Sequence, residues 1–219
     1  MSAKDHPSCA SIDMLFGEKK YSYINGQGRP EFASIPYGRS TVGRAGCEAI
    51  ACYNAMLLLG RPLSFEEVRA YFEKLFRRGL GWLAGGILGA TPLEIHHFLK
   101  NQGIRFIRIR SVRGFKKKAS AGKLPPGVLI VSYWNKPIIK CGFHTVAIDC
   151  RMLAGSSGQS SRTMAGGSGI GQQMTVYNFS NSSAGPEIIT DLSRLMEGNW
   201  RFISGSYIPY PADQQSGMR

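Results

Sequence analysis

Apolar residues return at helical spacing along 47–59, CEAIACYNAMLLL. Ile50, Ala51, Ala55, Leu58 and Leu59 share one side while Ala49, Met56 and Leu57 widen the belt, so the spacing predicts a buried helix that Gly60 closes. Ser64 followed by Glu67 is a capping-box signature ahead of FEEVRAYFEKLF, an amphipathic helix. Thr91, Pro92 and Glu94 repeat that start signal before PLEIHHFLKNQ, which Gly103 ends. The stretch 21–38, YSYINGQGRPEFASIPYG, has no helical period and reads as extended chain with turns. Between the second and third helices lies GLGWLAGGILGA, uncharged and rich in glycine. It spells G-x-G-x-x-A, but it follows a helix rather than a strand and so reads as a loop, not a dinucleotide fingerprint.

From Ile104 the period changes to two. IRFIRIR alternates, GVLIVSYW is a buried-type run, GFHTVAIDC alternates again and MTVYNFS follows, with NKP at 135–137 as a turn. Residues 152–173, rich in serine and glycine with few large apolar side chains, read as a flexible connection. PEIITDLSRLME (186–197) predicts a short helix and WRFISGSYI (200–208) a final strand, while 1–15 and 211–219 read as loose ends. Helices first and an antiparallel sheet after them give an α+β fold, expected as one domain over residues 1–219.

With 43% hydrophobic and 11% aromatic residues, the 219-residue chain can fill a sizeable core. No stretch reaches the ~18 apolar residues needed to span a bilayer, and the first residues lack an apolar signal-peptide core. A cytoplasmic protein is therefore expected, with non-classical export the alternative. Five cysteines, an odd number for a chain this long, argue against a disulfide scaffold. Cys141 and His144 form a lone C-x2-H with no second pair at zinc-finger distance, so neither a metal nor any other cofactor is expected.

The net charge is +13, and it is unevenly spread. From Ile95 to Ile148 there is no Asp or Glu, while basic residues run from Lys100 through Arg105, Arg108, Arg110, Arg113 and Lys116 to Lys140. Such a field attracts acidic partners, and nucleic acid less readily; it also serves simply as a solvated face. Phe106, Phe115, Tyr133 and Trp134 lie among the charges at strand spacing, which suits core contacts better than base stacking.

Cys47 sits at the start of the first helix, directly after Gly46. Unpaired N–H groups and the partial positive charge there favour a thiolate, although a cysteine in an apolar helix is more often a small core residue, the reading given to Cys52. A nucleophilic thiol needs a base. His6 lies in a loose end, and His96 and His97 sit on a capped helix. His144 lies on an alternating strand, on one face with Val146 and Ile148, and is expected to point at the buried helix and Cys47. If GFHTVAIDC and MTVYNFS form a hairpin in which Cys150 pairs with Gln172, Asn178 falls opposite His144 and its side chain can accept the imidazole N–H. Asp149 is the other polar candidate, but alternation puts it on the opposite face.

Taken together, QGRPEFASIPYGRSTVGRAGCEAIACYNAMLLLG, GFHTVAID and VYNFS resemble the papain-like cysteine peptidases of the bacteriocin-leader-processing (double-glycine) type, in particular the stand-alone bacterial members. The resemblance runs from about Tyr21 to Ser180. It implies a papain-like fold with the nucleophile on a buried helix packed against the sheet, and peptide or protein substrates. It implies Cys47 as nucleophile, His144 as general base, Asn178 as its orienting partner and Gln27 as an oxyanion-hole amide beside the Cys47 N–H. Peptide cleavage is the expected reaction; deamidation, transpeptidation and acyl transfer use the same residues. The rival expectation is a catalytically silent fold of this type that binds nucleic acid or an acidic partner through its basic span. The sequence departs from the family at G-C-E-A, where Glu48 sets a negative charge beside the thiol, at Phe143 where the family has glycine, and at Phe32 where it has tryptophan. The 219 residues include no membrane or ATP-binding segment, so the fused transporter form is not expected.

Overall fold

The computed structural model describes residues 21–81, 86–120, 124–134, 142–151, 173–190, 192 and 201–211. The loose ends expected at 1–15 and 211–219 lie outside these residues, apart from Pro211, as do the NKP turn and the Ser/Gly-rich connection up to residue 172.

The fold is mixed α+β. Helix α1 (Pro30–Ala33), the two-residue strands β1 (Pro36–Tyr37) and β2 (Ser40–Thr41), and helix α2 (Val42–Ala45) lead into α3 (Cys47–Leu58), α4 (Phe65–Arg77) and α5 (Pro92–Asn101). Then come β3 (Ile107–Ile109), α6 (Val112–Ser120), β4 (Gly127–Trp134), β5 (Phe143–Asp149), β6 (Met174–Tyr177), β7 (Glu187–Ile189) and β8 (Arg201–Pro209). Strands β3 to β8 form one antiparallel sheet in the order β3-β8-β4-β5-β6-β7. The last strand thus inserts between the first and second of the sheet.

Both expected capping boxes form. Ser64 accepts from the Glu67 N–H at 3.2 Å while Glu67 accepts from the Ser64 N–H at 2.7 Å. Thr91 and Glu94 do the same for α5, and Glu94 also accepts the Gly81 N–H, tying the glycine-rich loop to that helix.

Each face of the sheet carries its own core, and strand alternation decides which side chains join which. Val128 and Ile130 of β4, Ala147 of β5 and Ile208 of β8 pack with α3, α4 and α5. Leu129, Val131 and Tyr133 of β4, Val146 and Ile148 of β5, and Tyr207 of β8 face the other way, toward Ile109 and Phe115. Helix α3 is buried almost all round, as a helix wedged between other helices and a sheet must be.

Several expectations need correction. The stretch 21–38 contains the short helix α1 and strand β1, which pairs with β2 just beyond it, rather than extended chain alone. Of IRFIRIR only Ile107–Ile109 is strand, and the basic stretch after it forms α6, in which Val112, Phe115 and Ala119 recur at helical spacing. PEIITD opens as strand β7 rather than helix, because its β-branched isoleucines complete the sheet edge beside β6; nearly all the rest of that expected helix lies outside the described residues.

Candidate active site

The chain reaches Cys47 through a tight corner. Gly46 ends α2 and begins α3, and a Cβ there would stand 2.8 Å from Val42 Cα and 2.8 Å from its carbonyl oxygen, so only glycine lets the two helices meet at this angle. Cys47 is then the first residue of α3, where backbone N–H groups have no partner within the helix.

Helix α3 lies against the face of β5 that carries Thr145 and Ala147, and the Cys47 sulfur meets the Thr145 backbone N–H and hydroxyl. The Thr145 hydroxyl is in turn 3.0 Å from Ser132 Oγ on β4. His144, the preceding residue, leaves by the opposite face with Val146 and Ile148, and its ring stands edge-on to Tyr133 at 5.8 Å. Alternation therefore groups His144 with the expected neighbours, and Tyr133 beside it feels the Cys47 thiol. No hydrogen bond joins Cys47 to His144 in this closed arrangement.

The hairpin register differs from the expected one by two residues. Ala147 pairs with Tyr177 and Asp149 with Thr175, and β5–β6 pairing stops there. Beyond it Asn178 takes a left-handed backbone conformation, φ 59°, which asparagine tolerates better than most residues. This turn sends the chain back over the start of β5. His144 Nε2 donates to the Asn178 carbonyl at 2.7 Å, with the Phe179 backbone also close. The contact expected from the Asn178 side chain is made by its backbone instead. Because a carbonyl only accepts, Nε2 carries the proton and Nδ1 is the free basic nitrogen of the neutral ring.

The Asn178 carboxamide is committed to Gln27. Its Oδ1 accepts the Gln27 backbone N–H at 3.1 Å and its Nδ2 donates to Gln27 Oε1 at 3.1 Å. Gln27 Nε2 donates to the Gly43 carbonyl at 3.3 Å, so the amide expected in an oxyanion hole is engaged with a protein acceptor. The Asn178 N–H donates to Asn25 Oδ1 at 2.9 Å. Asn25, Thr145 and Phe179 thus enter the site unannounced. Alternation could have identified Thr145 as the strand residue under α3, whereas Asn25 carried no periodic signal.

Cys47, His144 and Gln27 are each 3% exposed and Asn178 is fully buried, so the cluster is closed. Burial pushes the Cys47 thiol well above its ordinary range; Glu48 raises it further, and Thr145 offsets part of this. Burial lowers His144, against a smaller upward pull from the Asn178 and Phe179 backbone, so the ring is neutral near pH 7. Glu48 is buried too, and its carboxyl is raised to about 8, chiefly by loss of water, with the Ala90 N–H and the Cys47 thiol acting in the other direction.

Cys47, Cys52 and Cys150 are free and buried; Cys9 and Cys141 lie outside the described residues. Among the described residues no group of three His, Cys, Asp or Glu side chains could hold a metal ion, and no helix is long and apolar enough to cross a membrane. No protein-family model matches this sequence, and no curated protein matches it.

Proposed function

We propose that the chain is a papain-like thiol hydrolase that cleaves peptide bonds, with Cys47 as nucleophile and His144, Asn178 and Gln27 around it. One observation carries the reading. Residues remote in sequence converge on the beginning of β5, where His144 bonds to Asn178, Asn178 is locked to Gln27, and Cys47 rests on Thr145 beside His144. The resemblance in motif order adds to it.

In this mechanism His144 Nδ1 takes the thiol proton while its Nε2–H stays on the Asn178 carbonyl, which fixes the ring and its tautomer. The sulfur attacks the amide carbonyl, the Cys47 N–H and a released Gln27 amide hold the oxyanion, and His144 returns the proton to the leaving amine. Water then hydrolyses the acyl-enzyme. The arrangement described is the closed one: Cys47 must leave Thr145, and Gln27 must leave Gly43 and Asn178, for these contacts to form.

The test compares turnover of fluorogenic peptides and labelling by a thiol-directed acylating probe in the wild type, Cys47→Ala and His144→Ala. Turnover lost in both variants, with probe label confined to Cys47, supports the reading. Equal label in wild type and Cys47→Ala, with no turnover, overturns it.

A second reading, a silent fold that binds an acidic partner, is favoured by a separate observation. Arg108 in β3 and Arg110 just after it, with Ser111, Gly114 and Lys118 at α6, line a cleft of about 410 Å³ at the sheet edge, and none of its three cations is in an ion pair among the described residues. Binding of an acidic peptide that weakens steeply with salt and with Arg110→Glu, but is indifferent to Cys47→Ala, would establish it.

A further inference from the structure

Ser111, Gly114, Phe115 and Lys118 stand at i, i+3, i+4 and i+7, so one stripe of α6 and its lead-in lines the cleft beside β3. A helix normally gives such a stripe to apolar side chains. Here only Phe115 is one: it is buried in the same core as Ile109 of β3, with its ring 5.7 Å from Tyr207, and the two form an apolar floor. Gly114 keeps the hollow open. A Cβ there would stand 3.0 Å from Ser111 Oγ and meet nothing else within 4 Å. Arg108, Arg110 and Lys118, all exposed, supply the rim.

That rim is of one sign. The sequence has no Asp or Glu from Ile95 to Ile148, and none of the three cations is in an ion pair among the described residues. A solvated face spreads like charges apart, whereas three around one hollow of about 410 Å³ repel one another above an apolar floor, a cost that a bound anion removes. The volume admits one small ligand or one side chain of a partner. What the cleft offers is donors: two guanidinium forks, one ammonium and the Ser111 hydroxyl, which accepts the Gly114 N–H at 3.1 Å and keeps its own O–H to give. A carboxylate has two oxygens in one plane and matches a single fork. A phosphate monoester carries about two negative charges at pH 7 and three acceptor oxygens in a tetrahedral array, so two forks and an ammonium can bind it together.

We propose that the cleft between β3 and α6 is a binding site for a phosphate monoester, held by Arg108, Arg110, Lys118 and the Ser111 hydroxyl. This deepens the reading of the cleft as the seat of an acidic partner and rests on it: the acid that the partner brings is a phosphoryl group. Arg108 and Arg110 reach it from the strand side, Lys118 and Ser111 from the helix, and Gly114 leaves the room it occupies.

The test is isothermal titration of the full-length protein in chloride buffer at pH 7.5 with three probes: free O-phosphoserine, an otherwise neutral peptide bearing one phosphoserine, and the same peptide with glutamate at that position. Both phosphorylated probes are expected to saturate one site, and the glutamate peptide to bind at least about tenfold more weakly. Arg108→Ala, Arg110→Ala and Lys118→Ala should each weaken the phosphorylated probes about tenfold, and Gly114→Leu, which fills the hollow, should abolish their binding. Free O-phosphoserine binding as tightly as the peptide identifies a small ester as the ligand, and a tighter peptide identifies a phosphorylated partner; both uphold the site. Equal affinity for the glutamate and phosphoserine peptides overturns phosphate recognition while leaving the acidic-partner reading, and no binding of any probe overturns both. Phosphoserine binding indifferent to all four substitutions also overturns the site, and the wild-type comparison decides alone if a variant does not fold.

Discussion

Asn178 grips Gln27 twice, once through the backbone N–H and once through the side-chain carbonyl, across 151 positions of sequence. Asn178→Ala removes both bonds and leaves two buried Gln27 groups without partners, at roughly 2–5 kcal/mol. Asn178→Gly loses the same bonds but suits φ 59°, and is expected to be less damaging than alanine by about 1 kcal/mol. Urea denaturation of both variants measures the difference.

Glu48 gives a pH signature of stability. Its carboxyl is at about 8 in the folded protein against an ordinary 4.5, so the native state holds a proton that the unfolded chain releases. Stability is complete below about pH 4.5 with respect to this group and is lost as pH rises toward 8. Glu48→Gln should flatten that decline. Urea midpoints at half-unit pH steps over this range check the slope.

His96 works in the opposite direction. Its ring stacks on Phe106 at 4.8 Å and is lowered to about 4, first by burial and then by Arg108 and Lys100. It folds as the neutral form, so stability present above pH 6.5 is lost as pH falls through 4, by up to about 1.4 kcal/mol per pH unit. His96→Phe keeps the stack and should show a shallower acid limb in thermal melts.

Gly89 and Gly103 separate crowding from backbone conformation. Both have positive φ, but a Cβ at Gly103 meets open space whereas one at Gly89 meets Glu48 and Ala45. Gly103→Ala should cost about 1 kcal/mol and Gly89→Ala roughly 2–4 kcal/mol. Chemical denaturation of the two variants tests the ordering.

Much of this architecture was legible in local chemistry. Ser64 with Glu67, and Thr91 with Glu94, announced two helices because a capping box is a local hydrogen-bond pattern. The alternation in 143–149 gave the strand and grouped His144 with Val146 and Ile148 correctly. It could not say which face α3 would cover, because that depends on packing between distant segments. The two-residue difference in β5–β6 register has the same origin: the long connection between those strands fixes no pairing. The partnership of Asn178 with Gln27 follows from a left-handed turn that side-chain pattern does not encode.

The distance along the chain between Gln27 and Asn178 also orders events during synthesis. Closing a contact of that span is slow compared with forming a helix, so α3 and its sulfur exist on the nascent polypeptide well before the strands that complete their surroundings emerge. An unfinished chain therefore holds its thiol without imidazole or carboxamide neighbours, and the cluster around it is complete only after nearly the whole protein has left the ribosome.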